Sequence, residues 1–166
     1  MQAHSRTEFK LDEYITLIKE VTESGGEFRL YPKGTSMLPL LRQGIDSVGL
    51  VESTVRLKKR DIVLYKRKNG QFVLHRILKV NNDGSLFLCG DNQTEIEKDI
   101  YPCDVLALVS CVYRGEKRYD MCKNIMNVYG VVWCFMPFRK IVFFFRKACV
   151  KVKNLLNRLK KSSNDK

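Results

Sequence analysis

Apolar residues at Leu11, Ile15, Ile18 and Val21 recur at the spacing of one helix face, with Glu13, Lys19 and Glu20 on other faces. This predicts an amphipathic helix over 8–23, ended by Ser24-Gly25-Gly26. Glu27–Tyr31 then alternates as a short strand running into Pro32. Five further β-type runs follow: Ser47–Val51, Asp61–Lys66, Phe72–Val80, Ser85–Leu88 and Val105–Val112. Turn clusters separate them, namely Lys68-Asn69-Gly70, Asn81-Asn82-Asp83-Gly84 and Gly90-Asp91-Asn92. Asn69-Gly70 between two such runs predicts a hairpin. The runs leave no room for long helices, so this region is expected to be mostly antiparallel β.

After Tyr119 the pattern changes again. Val128–Phe145 is apolar and aromatic but interrupted by Arg139 and Lys140. A membrane-spanning helix needs about 20 predominantly apolar residues. The uninterrupted part, Val128–Phe138, has eleven, Gly130 and Pro137 among them. From there Ile141, Phe145, Ala148, Val152, Leu155 and Leu159 recur at steps of four and three, with Lys and Arg in much of the remainder. This predicts a basic amphipathic helix over 138–161, suited to an anionic membrane surface. A helix packed on the domain or a coiled-coil strip is the alternative. The segments divide the chain into an N-terminal helix (1–26), a β-rich domain (27–119) and a hydrophobic, basic tail (120–166).

Charge sharpens that division. The 166 residues carry a net +12, of which the stretch from Phe138 to Lys166 supplies ten basic residues against one acidic, Asp165. The excess belongs to the tail, so the body is not a general polyanion binder and no nucleic-acid partner is expected. A hydrophobic content of 45% with 29% charged residues excludes wholesale disorder. Met1–Glu20 contains no apolar stretch of the secretory type. The six cysteines (Cys89, Cys103, Cys111, Cys122, Cys134, Cys149) form no CxxC pair, so free thiols are expected and neither a zinc site nor a cofactor.

Candidate chemistry lies in Gly34-Thr35-Ser36-Met37-Leu38-Pro39 and, thirty-nine residues after the serine, in Val73-Leu74-His75-Arg76. A serine between small residues on a tight turn is exposed, and its hydroxyl becomes a nucleophile when a base takes its proton. His75 is one of two histidines; His4 lies in a polar N-terminal stretch. An ordinary imidazole, with pKa near 6.5, is largely neutral at pH 7 and can serve, its activity falling as it protonates at lower pH. A carboxylate should orient it, and Cys89–Glu97 supplies several. Each residue alone is equally a turn serine, a structural histidine or a solvated carboxylate.

The order of these segments resembles the S24/S26 serine peptidases, most closely the signal peptidase branch. Gly34–Pro39 is similar to that family's nucleophile box. Arg60-Asp61-Ile62-Val63-Leu64-Tyr65 is similar to its Gly-Asp-Ile-Val strand, with Arg60 in place of glycine. Val73-Leu74-His75-Arg76-Ile77 falls where bacterial members carry a lysine base, and histidine there is the endoplasmic-reticulum and sporulation pattern. Gly90-Asp91-Asn92 matches the last box. The resemblance spans about Tyr31–Val112 and implies a mainly β (α+β), signal-peptidase/LexA-like coiled antiparallel fold flanked by N- and C-terminal amphipathic helices.

It also implies roles. Ser36 would be the nucleophile and His75 the base; either Asp91 or Glu97 would orient His75, with Glu97 favoured for that and Asp91 for holding the site together. The backbone N–H of Ser36 would serve the oxyanion, beside Gly34 and Thr35. Some members carry a hydroxyl two residues before the nucleophile; here that position is Gly34. Met37, Pro39 and Ile62 would line a cleft binding an extended peptide as an added strand, small residues flanking the scissile bond. The expected protein is a membrane-associated serine endopeptidase acting on a leader or signal peptide. It would be held peripherally or by a single C-terminal anchor over 128–145, and the membrane face stays open. A peptidase at the cytoplasmic face is the simplest reading of an N-terminal amphipathic helix where typical signal peptidases have an anchor. A non-catalytic peptide-binding module held at a membrane is the alternative. Self-cleaving repressors of the superfamily rank last, because no helix-turn-helix precedes Tyr31.

Overall fold

The computed structural model describes residues 11–53, 56–145, 149 and 152. Helix α1, Leu11–Glu23, turns its Ile18 side into the core, with Tyr14 and Ile15 packed beside it. Tyr14 meets Phe28 edge-on at 5.4 Å between ring centres. The predicted first turn, 8–10, lies outside the described residues.

Eight strands follow: β1 Phe28–Leu30, β2 Asp46–Val51, β3 Ile62–Lys66, β4 Phe72–Val80, β5 Leu86–Cys89, β6 Glu97–Ile100, β7 Val105–Arg114 and β8 Lys117–Asp120. All pairings are antiparallel, in the order β1-β2-β7-β3-β4-β5-β6, and β8 pairs with β7. The ten-residue β7 organises the sheet. Along one edge it pairs with β2; along the other its first half takes β3 and its second half β8. The β3–β4 hairpin turns at Asn69-Gly70, with Gly70 at φ +85°. The molecule is thus mainly β in an α+β arrangement.

Alternation puts Ile62, Leu64 and Leu74 into a core shared with α1, Met37, Leu40 and Leu41. Val63, Tyr65, Ile77, Leu86 and Leu88 form a second cluster on the opposite face. Two strands escape the sequence pattern. Glu-Lys-Asp-Ile in β6 buries only Ile100, and Lys-Arg-Tyr-Asp in β8 is exposed. Both are polar edge strands held by backbone pairing, which leaves no apolar alternation to read.

The C-terminal part departs most from expectation. Helix α2, Asn124–Cys134, is broken at Phe135 and followed by α3, Met136–Phe145, at 84° to its axis. No single helix among the described residues is long and apolar enough to cross a membrane. Arg139, expected as a charge breaking the apolar run, is 0% exposed. Of the predicted amphipathic stripe, Ile141, Phe145 and Val152 are exposed, whereas Ala148, Leu155 and Leu159 lie outside the described residues.

Candidate active site

Ser36 lies on the loop 31–45 between β1 and β2, which is anchored from both sides. Met37, Leu40 and Leu41 are buried in the core below it. Gly34 donates its N–H to the Gln43 side chain at 2.9 Å and sits at φ +93°, in the left-handed region that favours glycine. At the far end the fully buried Asp46 accepts two bonds from the Arg42 guanidinium, at 2.9 and 2.8 Å, and one from the Arg42 N–H at 2.8 Å. Ser36 itself is half-buried, and its carbonyl accepts the Asn92 N–H at 2.6 Å.

His75 stands on β4 opposite Val63 of β3 and is 1% exposed. Its Nδ1 side is fully engaged. Tyr65, two residues along β3 on the same face, has its hydroxyl 3.1 Å from Nδ1 and donates to Glu97 Oε2 at 2.6 Å. Glu97 Oε1 is 3.2 Å from Nδ1. Arg67 closes the cluster with a two-point pair to the Glu97 carboxylate, its Nε donating to Oε2 at 2.9 Å.

This arrangement decides the tautomer. The single Tyr65 proton goes to Glu97, so the imidazole proton must sit on Nδ1, facing the Glu97 carboxylate and the Tyr65 oxygen. Nε2 then carries the lone pair. Among the described residues Nε2 is the only buried side-chain nitrogen or oxygen without a hydrogen-bond partner.

What Nε2 faces is shown by Gly90. A Cβ at Gly90 would lie 3.0 Å from Nε2, 2.7 Å from the Ser36 carbonyl oxygen and 2.7 Å from Gln93 Oε1. Nε2 and the Ser36 backbone therefore flank one side-chain-free spot, and only glycine leaves it open.

Asp91 turns away from His75. Its carboxylate takes Arg76 in a fully buried two-point pair at 2.8 and 2.7 Å, with the Tyr129 hydroxyl donating at 3.2 Å. Its carbonyl accepts Trp133 Nε1 at 2.6 Å. Arg139 completes the lock: Nη1 donates to the carbonyls of Gly90 at 2.8 Å and Gln93 at 3.1 Å, and Nε and Nη2 to that of Trp133. The Gly90–Gln93 turn is thus clamped between β4 and the broken helix.

Electrostatics follow from burial. Desolvation pushes His75 down to about 4, the Glu97 charge opposing and Arg67 reinforcing the shift. Burial acts to raise the Glu97 carboxyl, but hydrogen bonds from Arg67 and Tyr65 outweigh it and leave Glu97 below its ordinary value. Tyr65 is raised by burial and by Glu97, so its hydroxyl stays a donor. At neutral pH the cluster holds a neutral imidazole, an ionised Glu97 and a charged Arg67.

Ser36, His75 and Glu97, far apart in sequence, thus converge, and Thr35 and Gly34 lie on the same loop. Met37 is 4% exposed in the core rather than lining a cleft, because the turn that presents Ser36 needs an apolar anchor beside it. Pro39 is exposed. Ile62 borders a cavity of about 450 Å³ between β3, β7 and α2, which neither Met37 nor Pro39 lines.

Sequence reasoning missed Tyr65, Arg67, Tyr129, Trp133 and Arg139. The first two were within reach, since the Asn69-Gly70 hairpin sets the register that puts positions 63, 65 and 67 on the face of His75. The other three depend on tertiary docking. The described cysteines are all unpaired, and no group of three or more metal-ligating side chains converges among the described residues. Comparison with protein-family models, curated proteins and solved structures found no match to this chain.

Proposed function

We propose that the protein is a serine endopeptidase in which Ser36 is the nucleophile and His75 the general base. The observation that carries this is the unpartnered, buried lone pair of His75 Nε2 at the gap it shares with the Ser36 backbone beside Gly90. A buried imidazole nitrogen left without a partner costs stability and is retained where it has a proton to take.

In the proposed cycle Ser36 Oγ attacks the scissile carbonyl as Nε2 takes its proton. The imidazolium that forms faces Glu97 Oε1 at 3.2 Å, a carboxylate already ionised by its pair with Arg67. The Ser36 N–H donates to the oxyanion. Collapse expels the amine, which receives the proton from Nε2. Water, deprotonated by the same nitrogen, then hydrolyses the ester on Ser36. Glu97 orients the base, while Asp91 fixes the turn and does not touch the imidazole.

The fold is read as the signal-peptidase/LexA-like one, with a leader or signal peptide as substrate. Two features support it. All four sequence boxes meet around one site. Arg60, standing where the family has glycine, adopts φ +86°, a conformation glycine tolerates best. The test is labelling with a serine-reactive acylating probe, read by intact mass and peptide mapping. One adduct is expected, on Ser36, and it is expected to vanish in both Ser36→Ala and His75→Ala with the circular dichroism spectrum unchanged. Failure of the wild type to label would favour the peptide-binding module.

A further inference from the structure

The broken helix pair has two unlike sides. Inward, Met126, Tyr129, Trp133 and Arg139 hold the core and the Gly90–Gln93 turn. Outward, Ile125, Val128 and Val131 on α2 and Phe135 at the break follow one another at three- and four-residue steps, with exposures of 81, 62, 53 and 61%. On α3, Phe138 and Ile141 are three apart and Phe144 and Phe145 lie three and four residues beyond Ile141, with exposures of 38, 53, 70 and 60%. The two stripes meet in an open hollow of about 640 Å³ formed by Val131, Val132, Phe135, Phe138 and Ile141, with Lys59 at its mouth.

Isolated apolar residues are normal on a surface; two converging apolar stripes, one aliphatic and one mainly aromatic, mark an interaction site. The charges around them select the partner. Lys58, Lys59 and Arg60 are exposed on the neighbouring loop, Lys123 just before α2 and Lys140 on α3. No acidic residue occurs in the sequence between Asp120 and Asp165, a stretch that holds ten basic ones. An apolar face whose surroundings are predominantly basic, with Lys123 paired to Asp120 at 3.0 Å, matches an anionic lipid surface, where acyl chains meet the face and phosphates meet the rim.

We propose that α2 and α3 form a wedge seated in the headgroup–acyl boundary of an anionic bilayer, with Phe135 at its apex and Lys59 at the phosphate level. The lipid contact expected of 138–161 is thereby extended to this bend, and Arg139 serves inward rather than as a headgroup ligand. Because Trp133 and Arg139 bolt the wedge to the Gly90–Asp91 turn, membrane seating places the Ser36–His75 gap next to the lipid surface. The binding claim is independent of the peptidase reading.

The test uses full-length Phe135→Trp with the wild type, whose only tryptophan is the buried Trp133, as reference. In buffer the added tryptophan should be open to an aqueous quencher. On phosphatidylcholine vesicles with about one-quarter phosphatidylglycerol its emission should shift to the blue. Bromines on the acyl chains should then quench it roughly two-fold or more. Phe135→Asp with Phe144→Asp should weaken partitioning about 100-fold while leaving Ser36 labelling unchanged. The proposal is overturned if brominated chains have no effect and binding disappears in about 0.5 M salt, which is adsorption by charge alone. It is equally overturned if the added tryptophan is already shielded in buffer, because the chain itself or a second copy then covers the face.

Discussion

A histidine shut away from water, with an arginine beside its carboxylate partner, releases its proton more readily than a free imidazole. His75 is in that position, and burial pushes it down to about 4. An ordinary imidazole would lose base activity between about pH 7 and 5. Here kcat/KM should stay flat from about pH 8 to 5 and fall only toward pH 4, as a pH–rate profile would show; a midpoint near 6.5 would contradict the assignment. Stability follows the same proton. Between about pH 4 and 6.5 the unfolded chain binds a proton that the folded chain refuses, so stability falls as pH drops through that window and is unaffected above it. The full difference is about 3 kcal/mol. Denaturant titration at pH 7 and pH 5 should reveal the loss in wild type and a much smaller one in His75→Gln. Ser36 and His75 were candidates in the sequence, and Glu97 one of two carboxylates there; the geometry brings Glu97 to Nδ1 and takes Asp91 to Arg76. The tautomer was not legible in the sequence, because it depends on where Tyr65 sends its single proton.

At the scale of elements, three segments distant in the chain meet at one glycine. The serine loop arrives through its anchors Met37, Leu40 and Leu41, β4 brings His75, and the 90–93 turn closes against both. Gly90 has no room for a side chain: a methyl group would press on the Ser36 carbonyl at 2.7 Å and on Nε2 at 3.0 Å. Gly90→Ala should therefore force the nucleophile and base apart, reducing Ser36 labelling on the order of 100-fold, with a stability loss of only about 1–3 kcal/mol. Labelling kinetics and a melting curve on the same sample measure both. The strands carrying these residues were legible wherever one face is apolar, as in β3, β4 and β5. The strand bearing Glu97 was not, since a polar edge strand forms by pairing with β5 rather than by burying its side chains.

Across the whole molecule, Asp91 joins the sheet to the C-terminal helices. With Arg76 it forms a two-point pair at zero exposure, and Arg139, also fully buried, lies 3.8 Å away. Asp91→Asn would leave Arg76 without the carboxylate it pairs with and Arg139 without the one 3.8 Å away. Breaking a buried pair in this way costs about 3–5 kcal/mol. A melting temperature lowered by roughly 10 °C is expected in scanning calorimetry, with Ser36 labelling reduced as the 90–93 turn loosens. Spacing along the chain already dictates the periodic parts of this protein: the amphipathic first helix, the apolar strands with their glycine turns and the basic C-terminal stretch, together with the candidate reactive residue types. These are local properties, written in spacing and composition. That Arg139 is an internal clamp, that the apolar run breaks at Phe135, and that Nε2 of His75 faces the Ser36 backbone across Gly90 emerge only in the folded molecule. Those outcomes depend on which distant backbone groups come close enough to accept a hydrogen bond, and no period along the chain encodes that.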